Sequence, residues 1–250
     1  MQARIVATGR GAQWLAEGWR IFRAAPVGWF AVVFLYLLAT QVLALLPVVG
    51  LAALLLVPVF TVGLLTAART VARGTRLELS VLFSGFRHDL RPQLVLGAVY
   101  LAGAVLVVAA MRFTDSEGIL HSVLTGRRKP EEVQAGEVLA PLLVFALVYA
   151  PLTMMFWFAP PLVAWHALGA AKALFFSFFA CLMNWRAFLA YLAAIVGVVA
   201  GLMIVMGIVG LSGGASPAAA SLLALSFSVV LLPTLFASFY ASYRDVFAGD

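Results

Sequence analysis

Charge is what this chain has least of. Only 10% of its 250 residues are Asp, Glu, Lys or Arg, against about 25% in soluble domains, and that shortage excludes a solvated surface around an ordinary globular core. Acidic residues are scarcer still, at 10, and none falls inside the long apolar runs. Proton-coupled transporters and intramembrane hydrolases keep an ionisable group facing the bundle interior, so this absence weighs against both. Cys181 is the single cysteine, which excludes an intramolecular disulfide framework. Histidines number three. His166, Cys181 and Met183 lie near one another in sequence, with Met154 and Met155 earlier, but their spacing matches no ligand pattern for copper or another soft metal. No metal and no cofactor is expected.

What fills the chain is hydrophobic: 64% of residues, with a mean hydropathy of +1.08. A helix crosses a membrane with about 20 apolar residues, and six runs of that kind appear. They are Val27–Leu46, Gly50–Ala68, Leu94–Met111, Leu139–Ala159 continuing to Trp165, Phe188–Leu211, and Ala218–Ser238 continuing to Tyr243. The first two are too long for one helix, so Pro47 to Gly50 is read as a turn. An apolar run that starts only at Val27 is a retained span rather than a cleaved leader. The reading is an all-α, polytopic membrane bundle forming one domain over residues 1–250.

Lysine and arginine set the orientation. Arg4, Arg10, Arg20, Arg23, Arg69, Arg73, Arg76, Arg87, Arg91, Lys172, Arg186 and Arg244 fall on one side of the six spans, and Arg112, Arg127, Arg128 and Lys129 on the other. The excess of cations on the side of the termini predicts that both termini are cytoplasmic. The net charge of +6 then reads as a basic face toward anionic lipid headgroups, without nucleic-acid binding. The far-side loop, residues 112–137, mixes both signs; Ser116 to Thr125 within it reads as a short helix stopped by Gly126.

Before the first span, Trp14, Leu15, Trp19, Ile21 and Phe22 fall on one helical face, and Glu17, Arg20 and Arg23 on the other. This pattern predicts an amphipathic helix in the headgroup layer. Similar short segments precede the third and fifth spans, at Ser80–Arg87 and Ala173–Ala180, with Phe86 and Phe179 in the place of Phe22. Trp14, Trp19, Phe22, Phe86 and Phe179 are the candidate interfacial or partner-binding residues.

The even-numbered spans share a second feature. Arg69 follows Pro58 by eleven residues, Lys172 follows Pro161 by eleven, and Arg244 follows Pro233 by eleven, with small residues just before each cation. Eleven residues of helix rise about 16 Å, half the hydrocarbon core, so a mid-membrane kink would deliver each cation to the headgroups. The chain is therefore read as three divergent hairpin repeats, about 14–73, 79–172 and 173–247, each preceded by an amphipathic stub. Hydroxyls such as Thr61 and Thr234 are candidates to satisfy the carbonyls that the prolines free.

Gly210-Leu-Ser-Gly213 matches an intramembrane serine protease signature, but no histidine follows Ser212 to act as its base. Ala193, Gly197 and Gly201 form a small-residue stripe suited to close helix packing, within the bundle or between subunits. Thr40 and Gln41 in the first span read as packing residues.

Three segments resemble a known family: Gly85–Arg87 (GFR), Trp157–Leu168 (WFAPPLVAWHAL) and Tyr240–Phe247 (YASYRDVF). They look like recurring segments of an uncharacterised six-span inner-membrane family of Gram-negative bacteria, distantly similar to the membrane domain fused to some glycerophosphodiester phosphodiesterases. The resemblance implies a six-helix bundle in the bacterial inner membrane and brings no catalytic residue; this chain has no phosphodiesterase domain. The functional expectation is a non-enzymatic organiser of lipids or of a partner membrane protein through the basic cytoplasmic face and the amphipathic stubs, with anionic lipid and a partner membrane protein or second copy as the expected partners. The alternatives are a transporter of a small amphiphile or lipid and, third, a membrane-embedded enzyme.

Overall fold

A computed structural model describes residues 2–45, 54–87, 90–114, 135–211 and 217–247. The turn at Pro47–Gly50, the short helix at 116–125 and Ser212 lie outside the described residues. Among those described, the chain is helical, without strands: α1 (Arg10–Ala24), α2 (Pro26–Ala44), α3 (Val57–Ala72), a 3-10 helix (Leu79–Arg87), α4 (Leu90–Thr114), α5 (Ala135–Trp157), α6 (Ala159–His166), α7 (Ala170–Met183), α8 (Trp185–Leu211) and α9 (Pro217–Phe247). Five stretches among the described residues are long and apolar enough to cross a membrane: Pro26–Leu43, Leu90–Phe113, Pro141–His166, Trp185–Ile208 and Leu225–Phe247. The sixth expected span corresponds to α3, whose 16 residues fall short of the usual crossing length.

The Arg4 amide donates to the Val246 carbonyl at 2.9 Å, and the Asn184 side chain accepts from the Val6 amide while donating to the Arg4 and Ala180 carbonyls. Both ends of the chain therefore meet at one end of the bundle. The tightest packing is there too. Trp14, Trp29, Phe158, Leu64, Leu82 and Leu162 are fully enclosed, whereas in Trp185–Ile208 only Ala187 and Tyr191 are buried.

The double proline sits at a break with a specific cause. The Phe158 amide, which would bond the Met154 carbonyl one turn back, instead donates to Ser177 Oγ at 2.9 Å, and that hydroxyl donates to the Met154 carbonyl at 2.7 Å. A hydroxyl from α7 thus enters the backbone ladder and parts α5 from α6, one of the recognised origins of a kink. Pro160 and Pro161 follow in the first turn of α6, where a missing donor costs least, and Gln93 Nε2 donates to the Pro160 carbonyl at 3.0 Å. Ser177→Ala leaves a buried amide and a partly buried carbonyl unpaired, so it should lower stability by about 2 kcal/mol, read as an earlier thermal unfolding midpoint in detergent. Ser177→Thr, which keeps the hydroxyl, should lose less.

The three proline elements differ in geometry. Pro58 lies in the first turn of α3 with Arg69 in the last turn of that helix, and Pro233 lies inside an unbroken α9 that also carries Arg244. Pro161 belongs to α6, which stops at His166 because Ala167 takes the left-handed conformation at φ 51°. Lys172 is in the next helix. The second eleven-residue interval is therefore not one helix, and the expected proline-to-cation unit holds along a single helix only in α3 and α9. Thr61 and Thr234 bond the carbonyls of Val57 and Val230, the ordinary backward bond of a helical threonine.

The expected interfacial stubs pack on protein. The 3-10 helix lies directly on α3: a Cβ added at Gly63 would stand 2.0 Å from the Leu82 carbonyl oxygen, and one at Gly85 would stand 2.1 Å from that of Val59. In α7, Ala170, Ala173, Ser177, Ala180 and Cys181 face inward while Phe175, Phe176 and Phe179 remain exposed. Burial pushes the Cys181 thiol pKa up, so it stays protonated and unreactive. Phe86 is partly exposed and its ring packs edge-on against Phe60.

Candidate functional site

The N-terminal helix makes the site. Residue numbers rise along α1 as they fall along α9: Arg10 reaches Asp245, and Gly18 meets Thr234 and Ser238. Along α8 they rise together, from Gly11 at Ala187 to the level of Val198. α1 is therefore a third helix set between α8 and α9. Glycine permits this, because a Cβ at Gly11 would lie 1.8 Å from the Ala187 carbonyl oxygen and one at Gly18 would lie 2.4 Å from that of Thr234.

Trp14 is fully buried, edge-on to Phe188 and Tyr191, and its indole N–H donates to Asp245 Oδ2 at 2.8 Å. Phe22 is buried as well, while Trp19 is 41% exposed. This corrects the expectation for two of the three N-terminal aromatics: Trp14 and Phe22 face protein, and only Trp19 remains partly exposed. An apolar stripe does not specify whether lipid or another helix covers it.

The polar side of α1 is paired too. Arg10 holds Asp245 through Nε and Nη2 at 2.6 and 2.7 Å and also reaches Gln13 and Glu17. Glu17 in turn accepts from Arg244. Burial lowers the Arg10 pKa, but the hydrogen bond and charge of Asp245, together with Glu17, outweigh it and raise the value. The network fixes α1 against the last turn of α9.

Beside this network lie two clefts. One, of about 320 Å³, is lined by Glu17, Arg20, Ile21, Val71 and Arg244, among others. The second, of about 60 Å³, is formed by Arg69, Arg73, Trp165, Tyr240, Tyr243 and Arg244. The Arg69 guanidinium stands 4.9 Å from the centre of the Trp165 ring. His166 Nε2 and Tyr243 Oη are 2.5 Å apart. Among the described residues no group of three or more His, Cys, Asp or Glu is placed to hold a metal.

Two apolar grooves flank α9. The first, about 450 Å³, lies beyond the α1 wedge, between Val198 of α8 and Phe227, Val230, Leu231 and Thr234 of α9, with Leu15 and Trp19 at its base. The second, about 620 Å³, lies between Phe30, Phe34 and Leu37 of α2 and Leu225, Val229 and Leu232 of α9. Both fall within the size range of small-ligand sites, about 300–1,000 Å³. A Cβ placed at Gly197 or Gly201 would meet nothing within 4 Å, so the small-residue stripe of α8 has no helix against it among the described residues.

The sequence pattern points to Arg69 and Arg244, whereas the pairing of Arg10 and Glu17 with the last turn of α9 and the roles of Ser177 and Asn184 have no counterpart in it. Gly11 and Gly18, two turns apart on one face of α1, were the signal for a backbone-close partner.

No described protein family and no solved structure matches the chain, and the distant likeness to the phosphodiesterase membrane domain gains no support from them. The chain is 35% identical over 260 aligned residues to a probable inner membrane protein of Burkholderia thailandensis, across 99% of this chain and 94% of the relative. The long apolar helices among the described residues agree with that kinship, and the chain belongs to this family of inner-membrane proteins.

Proposed function

We propose that this protein is a non-enzymatic lipid organiser of the bacterial inner membrane, crossing it six times with both termini in the cytoplasm. The adjacency of Arg4 and Val246 supports an even number of crossings. The excess of cations at that end supports a cytoplasmic location. The shorter apolar helix α3 supplies the sixth crossing.

The observation that carries the lipid reading is the apolar groove that begins where the α1 wedge ends. A solute path needs convergent polar groups near mid-membrane, whereas both grooves are lined almost wholly by aliphatic and aromatic side chains. That lining suits acyl chains and favours an organiser over a transporter. α1 is the structural device: it holds α8 and α9 apart at their terminal end, so that lipid rather than helix fills the space above.

Native mass spectrometry from mixed-lipid nanodiscs tests this. Wild type should retain lipid on gentle activation, and Val198→Trp combined with Leu231→Trp, which fills the first groove, should lose most of it whatever its headgroup. Equal retention by the filled variant would overturn the proposal.

A further inference from the structure

We infer that the two clefts at the terminal end form a binding site for an anionic phosphate group, with Arg69, Arg73 and Arg244 as its ligands and Arg20 at its margin. The inference rests on the lipid-organising reading and adds a headgroup chemistry to it.

Four arginines border these clefts, and Glu17 is the one carboxylate lining them. Glu17 is already held by Arg10 and Arg244. Among the described residues no carboxylate lies within ion-pair distance of Arg20, Arg69 or Arg73. Cations gathered without counterions repel one another, and an external anion relieves that repulsion. Arginine is suited to phosphate because its planar fork donates two parallel N–H bonds.

The site has a fixed part and an open part. Trp165 holds the Arg69 guanidinium by its face, which leaves the N–H edges free to donate. Trp165 is itself fixed edge-on by Tyr243 at 4.9 Å. Arg73 follows one helical turn after Arg69, on the same side of α3. The smaller cleft, about 60 Å³, has room for about two waters at about 30 Å³ each, which fits a phosphate group and not a whole headgroup. The larger one, about 320 Å³ and also bordered by Arg244, accommodates what the phosphate carries. A phosphodiester lipid headgroup and a soluble phosphate ester present the same chemistry, and the test separates them.

The full chain is placed in nanodiscs containing zwitterionic and anionic phospholipid, and the lipids retained are counted by native mass spectrometry. Arg69→Gln with Arg73→Gln should lower the preference for anionic lipid about tenfold while leaving total lipid unchanged, and Arg73→Gln alone, at an exposed position, should give a smaller loss of the same kind. Arg112→Gln, at the other end of α4, should change neither. In discs of zwitterionic lipid alone, inorganic phosphate that raises the unfolding temperature of wild type but not of the double variant would assign the site to a soluble phosphate; no such effect, with the lipid preference present, assigns it to a headgroup. Unchanged preference together with no phosphate effect would overturn the site, as would an equal loss with Arg112→Gln. Loss of total lipid belongs to the groove, so failure of that reading is separable from failure of this one.

Discussion

Replacing Gly11 with leucine is expected to release α1 from the bundle. The first added carbon would stand 1.8 Å from the Ala187 carbonyl oxygen and 2.7 Å from the Tyr191 amide nitrogen, and backbone atoms within a helix cannot move aside as a flexible side chain can. Overpacking of this kind costs about 3 kcal/mol or more, and here the least costly relief is for the whole helix to move away. Trp14 then leaves its aromatic pocket and Asp245. Limited trypsin digestion in nanodiscs reads the result: Arg20 and Arg23 should resist cleavage in wild type, where α1 is docked, and should be cleaved rapidly in the variant. Gly9→Leu is the control, because a Cβ there meets nothing within 4 Å, and its digestion should match wild type. Equal resistance of Gly11→Leu would mean that α1 is not held through this face.

Asp245→Ala should have an effect of similar size by a different route. Asp245 accepts two bonds from Arg10 and one from the Trp14 indole, so its loss leaves Arg10 with only Gln13 and Glu17 and strands a fully buried N–H. Breaking a buried pair costs about 3–5 kcal/mol. Arg10 keeps 33% of its side chain exposed, which places this case near the lower figure, about 3 kcal/mol. The unfolding midpoint should fall by roughly 6–12 °C. The Arg10→Ala, Asp245→Ala double variant should lose clearly less than the two single losses together, since each residue's role depends on the other. Full additivity would show that the pair does not act as a unit.

The membrane helices were legible because hydropathy over some twenty residues carries their signal. The expected starts at Val27 and Phe188 fall within three residues of the first residues of α2 and α8, and Gly50, the expected start of the second span, lies outside the described residues. What covers each apolar face was not legible. The stripe of Trp14, Leu15, Ile21 and Phe22 has the same periodicity whether it meets lipid or α8 and α9, and only the glycines at 11 and 18 distinguish the two. Asp245 lies 235 residues from Arg10, and no local pattern joins them. Ser177, a lone hydroxyl in a phenylalanine-rich helix, is identifiable as a ladder insertion only once α7 lies beside α5. The proline spacing was a true count, but a count does not reveal that Ala167 turns the chain between Pro161 and Lys172, since alanine is an uncommon residue for the left-handed conformation. Arg69 and Arg244 lie in the last turns of α3 and α9. Their convergence beside Trp165 depends on how α3, α6 and α9 pack.

The central claim is that lipid, rather than another helix, occupies the groove that the α1 wedge opens between α8 and α9. Photo-crosslinking from that groove tests it most directly. A benzophenone side chain at Leu231, activated in native membranes and analysed as intact protein by mass spectrometry, should give an adduct of lipid mass, and that adduct should disappear when Gly11→Leu releases α1. An adduct of protein mass at Leu231, from a second copy or another chain, would contradict the account.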